Sequence, residues 1–121
     1  MASKKLNFVF IMVDDLGWAD LSCYGSDLHE TPNIDKLAGE SMRFTDAYAA
    51  SPVCSPTRAS FMTGKYPAKL HMTIWSEASR NPPKNRKLIP PMTLPDLPLS
   101  EVTFADVLHD DYFMIHVGKW H

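Results

Sequence analysis

The sequence has little cysteine, little glycine, no long apolar run and no excess of one charge. Its 121 residues include two cysteines, Cys23 and Cys54, which form at most one disulfide and lie in dissimilar contexts, so a disulfide-stapled scaffold is not predicted. No apolar run approaches the roughly 20 residues that cross a bilayer, which argues against a membrane span. A formal net charge of -2 gives no electrostatic reason to expect nucleic acid as the main partner.

The composition is that of an ordinary globular chain, with 45% hydrophobic and 21% charged residues. Lys4 and Lys5 before the apolar run 6–13 resemble the start of a secretory signal. However, Asp14 and Asp15 end the run, and no small-residue cleavage site follows. We therefore expect a strand here, in a cytoplasmic protein, or in a periplasmic or secreted one if a signal peptide has been removed.

Three apolar runs predict β-strands. Residues 6–13 form a continuous apolar and β-branched run, as in a strand covered on both faces, and 44–49 and 112–117 are shorter candidates. Helical segments separate these runs. The alternation predicts an α/β fold with a mostly parallel sheet sandwiched by helices.

Helix signals mark three segments. Thr31 is a candidate N-cap with Pro32 at the first helical position, which predicts about three turns. Pro56 predicts the start of a second helix that runs to Thr63, with Gly64 as its C-terminal stop. Thr103 is a candidate N-cap for a third helix, with a carboxylate three residues later.

Residues 65–100 form a proline-rich basic loop region. Most of the ten prolines lie in it, at positions 67, 82, 83, 90, 91, 95 and 98. Half of the twelve basic residues lie there too, namely Lys65, Lys69, Arg80, Lys84, Arg86 and Lys87. The region is either a solvated loop or a lip over an anionic substrate, and His71 is its best candidate for substrate contact.

Charged side chains follow the predicted strands, at the sheet edge where α/β proteins bind ligands. Asp14 and Asp15 follow the first strand, and Lys119 and His121 follow the last. Adjacent carboxylates are costly to ionise together unless a cation such as calcium or magnesium neutralises them. A solvated turn is the alternative for this pair.

The segment from Cys54 to Arg58 predicts an anion site. A helix beginning at Pro56 would put Cys54 at its positive end, with Arg58 one turn on. A phosphatase-type cysteine loop would need arginine six positions after the cysteine, but that position is Ser60. No second cysteine or histidine lies at zinc-ligand spacing.

The run Pro52-Val53-Cys54-Ser55-Pro56-Thr57-Arg58-Ala59-Ser60-Phe61-Met62-Thr63-Gly64 resembles the first signature of the sulfatases, a family of the alkaline-phosphatase-like superfamily. The resemblance extends to Asp14-Asp15-Leu16-Gly17, to the segment 31–38 and to Gly118-Lys119-Trp120-His121, in the family's order. It therefore covers essentially the whole chain. It implies that residues 1–121 are the N-terminal portion of a sulfatase catalytic domain with an alkaline-phosphatase-like fold.

The resemblance assigns the reactive group and the metal. The family's cysteine at the position of Cys54 is converted to formylglycine by a maturation enzyme, and one hydroxyl of its hydrate attacks sulfur. Asp14, Asp15 and the modified Cys54 would ligate a calcium ion.

It also assigns roles to the basic residues. Arg58 would hold the hydrate, Lys119 would bind a sulfate oxygen and His121 would help expel sulfate. The family usually has glycine, and serine or threonine, where this chain has Asp111 and Met114, so the turn into the last predicted strand is atypical.

The resulting hypothesis is a calcium-dependent sulfatase that acts on a sulfated sugar or an aryl sulfate. Two alternatives remain at this stage. One is a phosphonate or phosphate ester hydrolase of the same superfamily, which can use the same modified cysteine. The other is that the isolated 121-residue chain is an inactive fragment that binds an anion or a metal.

Overall fold

The computed structural model of the protein describes residues 5–81, 84–85, 87–88 and 92–121. Four of the prolines and one arginine of the predicted loop region, at positions 82, 83, 86, 90 and 91, lie outside the described residues. The chain divides into two compact units, Met1–Asp46 and Ala47–His121. Each unit has its own helices, and each is described separately below.

The first unit is built around α1, Pro32–Gly39, which follows a short 3₁₀ helix at Ser22–Tyr24. The predicted helix is confirmed, with Pro32 at its start, but its eight residues make two turns rather than three. The Thr31 hydroxyl donates to Asp35 Oδ1 at 2.9 Å instead of capping the backbone. The same oxygen accepts the Cys23 N–H at 2.9 Å, so Cys23 is a half-buried part of this junction rather than a fully buried apolar group.

The second unit contains α2, Cys54–Thr63, α3, Ser76–Arg80, and α4, Phe104–Leu108. Helix α2 is the helix predicted from Pro56, but it begins two residues earlier. It ends at Gly64, whose φ of 68° lies in the left-handed region that glycine adopts without strain. Helix α3 was not predicted. Among the described residues, no helix is long and apolar enough to cross a membrane.

Helix α4 begins with the predicted cap. Thr103 Oγ1 accepts the Asp106 N–H at 3.4 Å, and the Asp106 carboxylate accepts the Thr103 N–H at 2.8 Å, which completes a capping box. The Thr103 hydroxyl also donates to this carboxylate, and these hydrogen bonds lower the pKa of Asp106. Phe104 packs edge-on against Phe61 of α2, with the ring centroids 5.3 Å apart.

The core of the second unit joins α2 to the proline-rich region. Ala59, Leu70 and Met72 are buried, and Leu94 and Leu97 pack against them. The Leu94 N–H donates to the carbonyl oxygen of residue 71 at 2.6 Å, which connects the two sides of the loop region. The region 65–100 therefore contains helix α3 and supplies most of this core.

The three predicted strands are not formed. Residues 6–13, 44–49 and 112–117 have no ladder hydrogen bonds, and their apolar side chains are largely exposed, 75% for Phe8 and 89% for Val117. A strand is stabilised by ladder hydrogen bonds to a neighbouring strand and by cover on its faces, and these largely exposed runs form no ladder. The predicted mostly parallel sheet is thus absent from the described residues.

Candidate active site

Cys54 is the first residue of α2, preceded by an extended Val53 with φ -130° and ψ 159°. Pro56 occupies the third helical position, where its missing N–H removes no intrahelical hydrogen bond. The half-buried Cys54 thiol therefore lies at the positive end of a ten-residue helix. This is the position that the sequence predicted for it.

Arg58 connects α2 to the end of the chain. Its side chain is on the buried face of the helix, at 9% exposure, and Nη1 donates to the Lys119 carbonyl oxygen at 2.9 Å. Lys119 follows Gly118, whose φ of 99° gives the turn a backbone conformation that other residues rarely adopt. The structure thus brings Arg58 and Lys119 together through the Lys119 backbone, while the Lys119 side chain is exposed.

Ser55 connects α2 to both α3 and His121. Its side chain is almost fully buried, and Oγ accepts the Ser76 N–H at 3.1 Å. The same oxygen lies 3.5 Å from His121 Nδ1. His121 is itself only 14% exposed, so its imidazole is packed beside the first turn of α2. Sequence reasoning assigned a role to His121 and missed Ser55.

A carboxylate lies on the other side of the imidazole. Asp96 Oδ1 is 3.8 Å from His121 Nε2. Arg80 Nη2 donates to both oxygens of this carboxylate, at 2.9 and 3.2 Å. Sequence reasoning missed this pair. The sequence signal that could have placed Arg80 was the order of charges in α3. Glu77 lies in its first turn and Arg80 in its last turn, an order that the helix dipole favours.

His71 has a strained backbone, with a φ of 52° in the left-handed region. Its carbonyl oxygen accepts from the Leu94 N–H at 2.6 Å and from Thr93 Oγ1 at 3.0 Å. These bonds hold the strained residue while its side chain is exposed. A substrate contact by His71 stays a prediction.

Asp14 and Asp15 form an exposed turn in the first unit, and Asp15 has a φ of 56°. Their carboxylates have the hard oxygens that calcium prefers. Two carboxylates supply at most about four of the six to eight oxygens that calcium takes. The described ranges contain no group of three or more side chains that could hold a metal. The pair fits calcium in donor type but does not by itself complete a coordination shell.

Comparison with known proteins decides the family. The sulfatase family model matches residues 6–121. The chain belongs to the sulfatase family. It is 40% identical over 121 residues to steryl-sulfatase of Homo sapiens, covering 99% of this chain and 20% of that protein. Arylsulfatase H of Canis lupus familiaris is 44% identical over 120 residues, covering 98% and 20%, and arylsulfatase A of Homo sapiens is 40% identical over 120 residues, covering 98% and 21%.

Membership in the sulfatases gives the site its context. The chain spans about a fifth of the length of these relatives. Sulfatases have an alkaline-phosphatase-like α/β fold, and the described residues of this chain do not contain its sheet. The family generally uses formylglycine and a divalent metal. Cys54, Arg58, Lys119 and His121 all lie in the second unit, whereas Asp14 and Asp15 belong to the first.

Proposed function

We propose that this chain carries part of the active centre of a sulfatase, which hydrolyses an organic sulfate ester to an alcohol and sulfate. The hydrogen bond from Arg58 Nη1 to the Lys119 carbonyl oxygen, at 2.9 Å, is the observation that carries the proposal. It joins two residues 61 positions apart, one in each of the two segments that carry the catalytic signature residues. Such a contact is expected if Cys54, Lys119 and His121 act on the same substrate.

In the proposed reaction Cys54 is first converted to formylglycine, whose hydrated aldehyde supplies the hydroxyl that attacks sulfur. Asp14 and Asp15 would supply ligands for the calcium ion that the family resemblance implies, and such an ion would supply positive charge for the hydroxyl and the sulfate. The helix dipole at the start of α2 favours negative charge at Cys54.

The basic side chains of the second unit would stabilise the transferring group. The Arg58 guanidinium has donors beyond the Nη1–H that bonds to Lys119, and those donors suit the hydrate or a sulfate oxygen. The Lys119 ammonium, on an exposed residue, would bind a sulfate oxygen. Charge that is positioned before the reaction stabilises the more highly charged transition state. His121 would take the hydroxyl proton when the hydrate returns to the aldehyde and sulfate leaves.

The substrate class follows from the relatives and the loop region. Similar proteins are named steryl-sulfatase, arylsulfatase and N-acetylgalactosamine-6-sulfatase. Lys65 is paired with Glu101 and Arg80 with Asp96, which reduces the positive charge that the loop region offers to a substrate. We therefore favour a substrate whose main anionic group is the sulfate ester itself, an aryl sulfate or a lightly charged sugar sulfate, with His71 as a candidate contact.

Sulfate release tests the proposal on protein produced together with a formylglycine-generating maturation enzyme. The wild type should release sulfate in a calcium-dependent reaction, and the peptide that contains Cys54 should have the mass of the aldehyde. Cys54→Ala should reduce kcat by about 10⁴-fold or more, because the nucleophile is lost. Cys23→Ala is the matched control and should keep its activity, since Cys23 is the other half-buried free cysteine and has no assigned role in the reaction.

Two results would overturn the sulfatase assignment. An unmodified Cys54 thiol together with no sulfate release would exclude the formylglycine mechanism. Faster hydrolysis of the phosphate ester than of the sulfate ester of the same alcohol would favour the phosphate ester hydrolase instead.

A further inference from the structure

We propose that Asp96 is a positioning residue for His121, one that keeps the imidazole in a single orientation and a single tautomer. Arg80 in turn holds the Asp96 carboxylate. The inference rests on the proposed function only in that His121 takes part in catalysis, since the contacts themselves are independent of the reaction. Neither Asp96 nor Arg80 belongs to the signature segments from which the site was predicted.

Each ring nitrogen of His121 lies near an oxygen atom of another side chain. Ser55 Oγ lies 3.5 Å from His121 Nδ1, and Asp96 Oδ1 lies 3.8 Å from His121 Nε2. Ser55 also accepts the N–H of Ser76, and Asp96 is held by Arg80. Each ring nitrogen therefore faces one oxygen, and both oxygens are tied to the same helix, α3.

Helix α3 sets the distance between these two oxygens. Ser76 is its first residue and Arg80 its last, four positions apart and so on the same face of the helix. The Ser76 N–H bonds to Ser55, while the Arg80 guanidinium reaches Asp96 at 2.9 and 3.2 Å. One short helix therefore holds both of the side chains that face the ring nitrogens of His121.

The Asp96 carboxylate decides the tautomer. A hydroxyl has one proton to donate and two lone pairs that accept, so Ser55 Oγ, which accepts the Ser76 N–H through one of them, suits His121 Nδ1 as either donor or acceptor. An ionised carboxylate only accepts, and therefore favours the tautomer with the proton on Nε2, the nitrogen that faces Asp96. Nδ1 is then the acceptor, and the Ser55 hydroxyl is the donor to it.

The contact between Asp96 and His121 is electrostatic rather than a full hydrogen bond, because 3.8 Å exceeds hydrogen-bond range. A carboxylate at this distance attracts the Nε2–H electrostatically but does not form a hydrogen bond with it. The ring therefore keeps its orientation, with Nδ1 beside the first turn of α2 that also carries Cys54, so Nδ1 is the nitrogen that would take a hydroxyl proton. The exposed ion pair of Arg80 with Asp96 contributes geometry more than stability.

The tautomer is read directly from ¹⁵N-labelled histidine by NMR of the whole chain at about pH 8, where unperturbed histidines are neutral. Wild-type His121 should show the protonated Nε2 and unprotonated Nδ1 signals of one tautomer. Asp96→Asn should give ring signals averaged between two tautomers, because the charge that selects Nε2–H is lost. Asp96→Glu should restore the single set, since residue 96 is exposed and has room for the longer side chain.

Asp110→Asn is the matched control. Asp110 Oδ1 lies 3.0 Å from Nε2 of His109, so the variant removes a carboxylate from a different histidine in the same unit. It should change the ring signals of His109 and leave those of His121 as in the wild type. An Nδ1–H tautomer of His121 in the wild type, or unchanged His121 signals in Asp96→Asn, would overturn the proposal.

Turnover supplies a second, separate readout. Loss of the aspartate that orients a catalytic histidine can cost up to about 10⁴-fold in kcat, and the longer contact here predicts about tenfold. KM should stay within about twofold, since Asp96 is not placed on the substrate. A wild-type kcat in Asp96→Asn would refute the positioning role. If the protein releases no sulfate, the sulfatase proposal fails while the NMR result still decides the role of Asp96.

Discussion

The buried hydroxyl of Ser55 contributes both to the candidate active site and to the stability of the second unit, so one substitution tests both. Ser55→Ala removes Oγ, which accepts the Ser76 N–H at 3.1 Å and faces His121 Nδ1 at 3.5 Å. The methyl group of alanine fills most of the same space. The substitution therefore removes hydrogen bonding with little change in packing.

The size of the effect follows from burial. Ser55 is 1% exposed and Ser76 is 8% exposed, so water cannot replace the lost acceptor. A buried donor without a partner costs about 1–3 kcal/mol, and the longer contact with His121 adds less. We expect the free energy of unfolding to fall by about 1–3 kcal/mol. With a urea m-value of about 1.5 kcal/mol/M, the midpoint should fall by roughly 0.7–2 M.

Urea unfolding followed by tryptophan fluorescence measures the change in the free energy of unfolding, and two tryptophans lie next to the residues that Ser55 contacts. Trp75 and Trp120 directly precede Ser76 and His121 in the sequence. Ser41→Ala is the matched control, because the Ser41 hydroxyl also makes a hydrogen bond, as donor to the Leu37 carbonyl oxygen, but is exposed to water. It should change the free energy of unfolding by less than about 0.5 kcal/mol. Equal midpoint shifts for the two variants would refute the argument from burial.

Two other side chains give clear expectations. Met72 is fully buried, so Met72→Ala should lower the free energy of unfolding by about 2–5 kcal/mol in urea denaturation. Met92, 87% exposed, is its control, and a similar loss in Met92→Ala would contradict the assigned core. Hydrogen bonds from Thr103 lower the pKa of Asp106, so this stabilisation is complete above the ordinary value of 3.8 and is lost as the pH falls through the lowered pKa. Asp106→Asn should therefore flatten the acid limb of the unfolding free energy, and an acid limb as steep as that of the wild type would refute the role of the cap.

Local signals in the sequence predicted the helices well. Pro32, Gly64 and the pair Thr103 and Asp106 act on their own turn of chain, so their effect is readable without knowing the rest of the fold. Helix α3 escaped prediction because five residues are too few for an apolar period to appear.

The strands were predicted from the same kind of local signal, and there the inference went wrong. The apolar run 6–13 has the composition of a covered strand, but a strand exists only through hydrogen bonds to another segment. Composition therefore reports the capacity of a run to pair, and not whether a partner lies beside it. None of the runs 6–13, 44–49 and 112–117 forms a strand in the structure.

The sequence by itself determined the family and the chemistry available to it, because the cysteine, arginine, lysine and histidine lie in short runs with strict spacing. Tertiary structure alone decided which of these groups meet. Arg58 bonds to the Lys119 backbone, and His121 lies between Ser55 and Asp96, across separations of 25 to 66 residues. Contacts over such distances depend on the path of the whole chain, since no local pattern encodes which oxygen will face a given ring nitrogen.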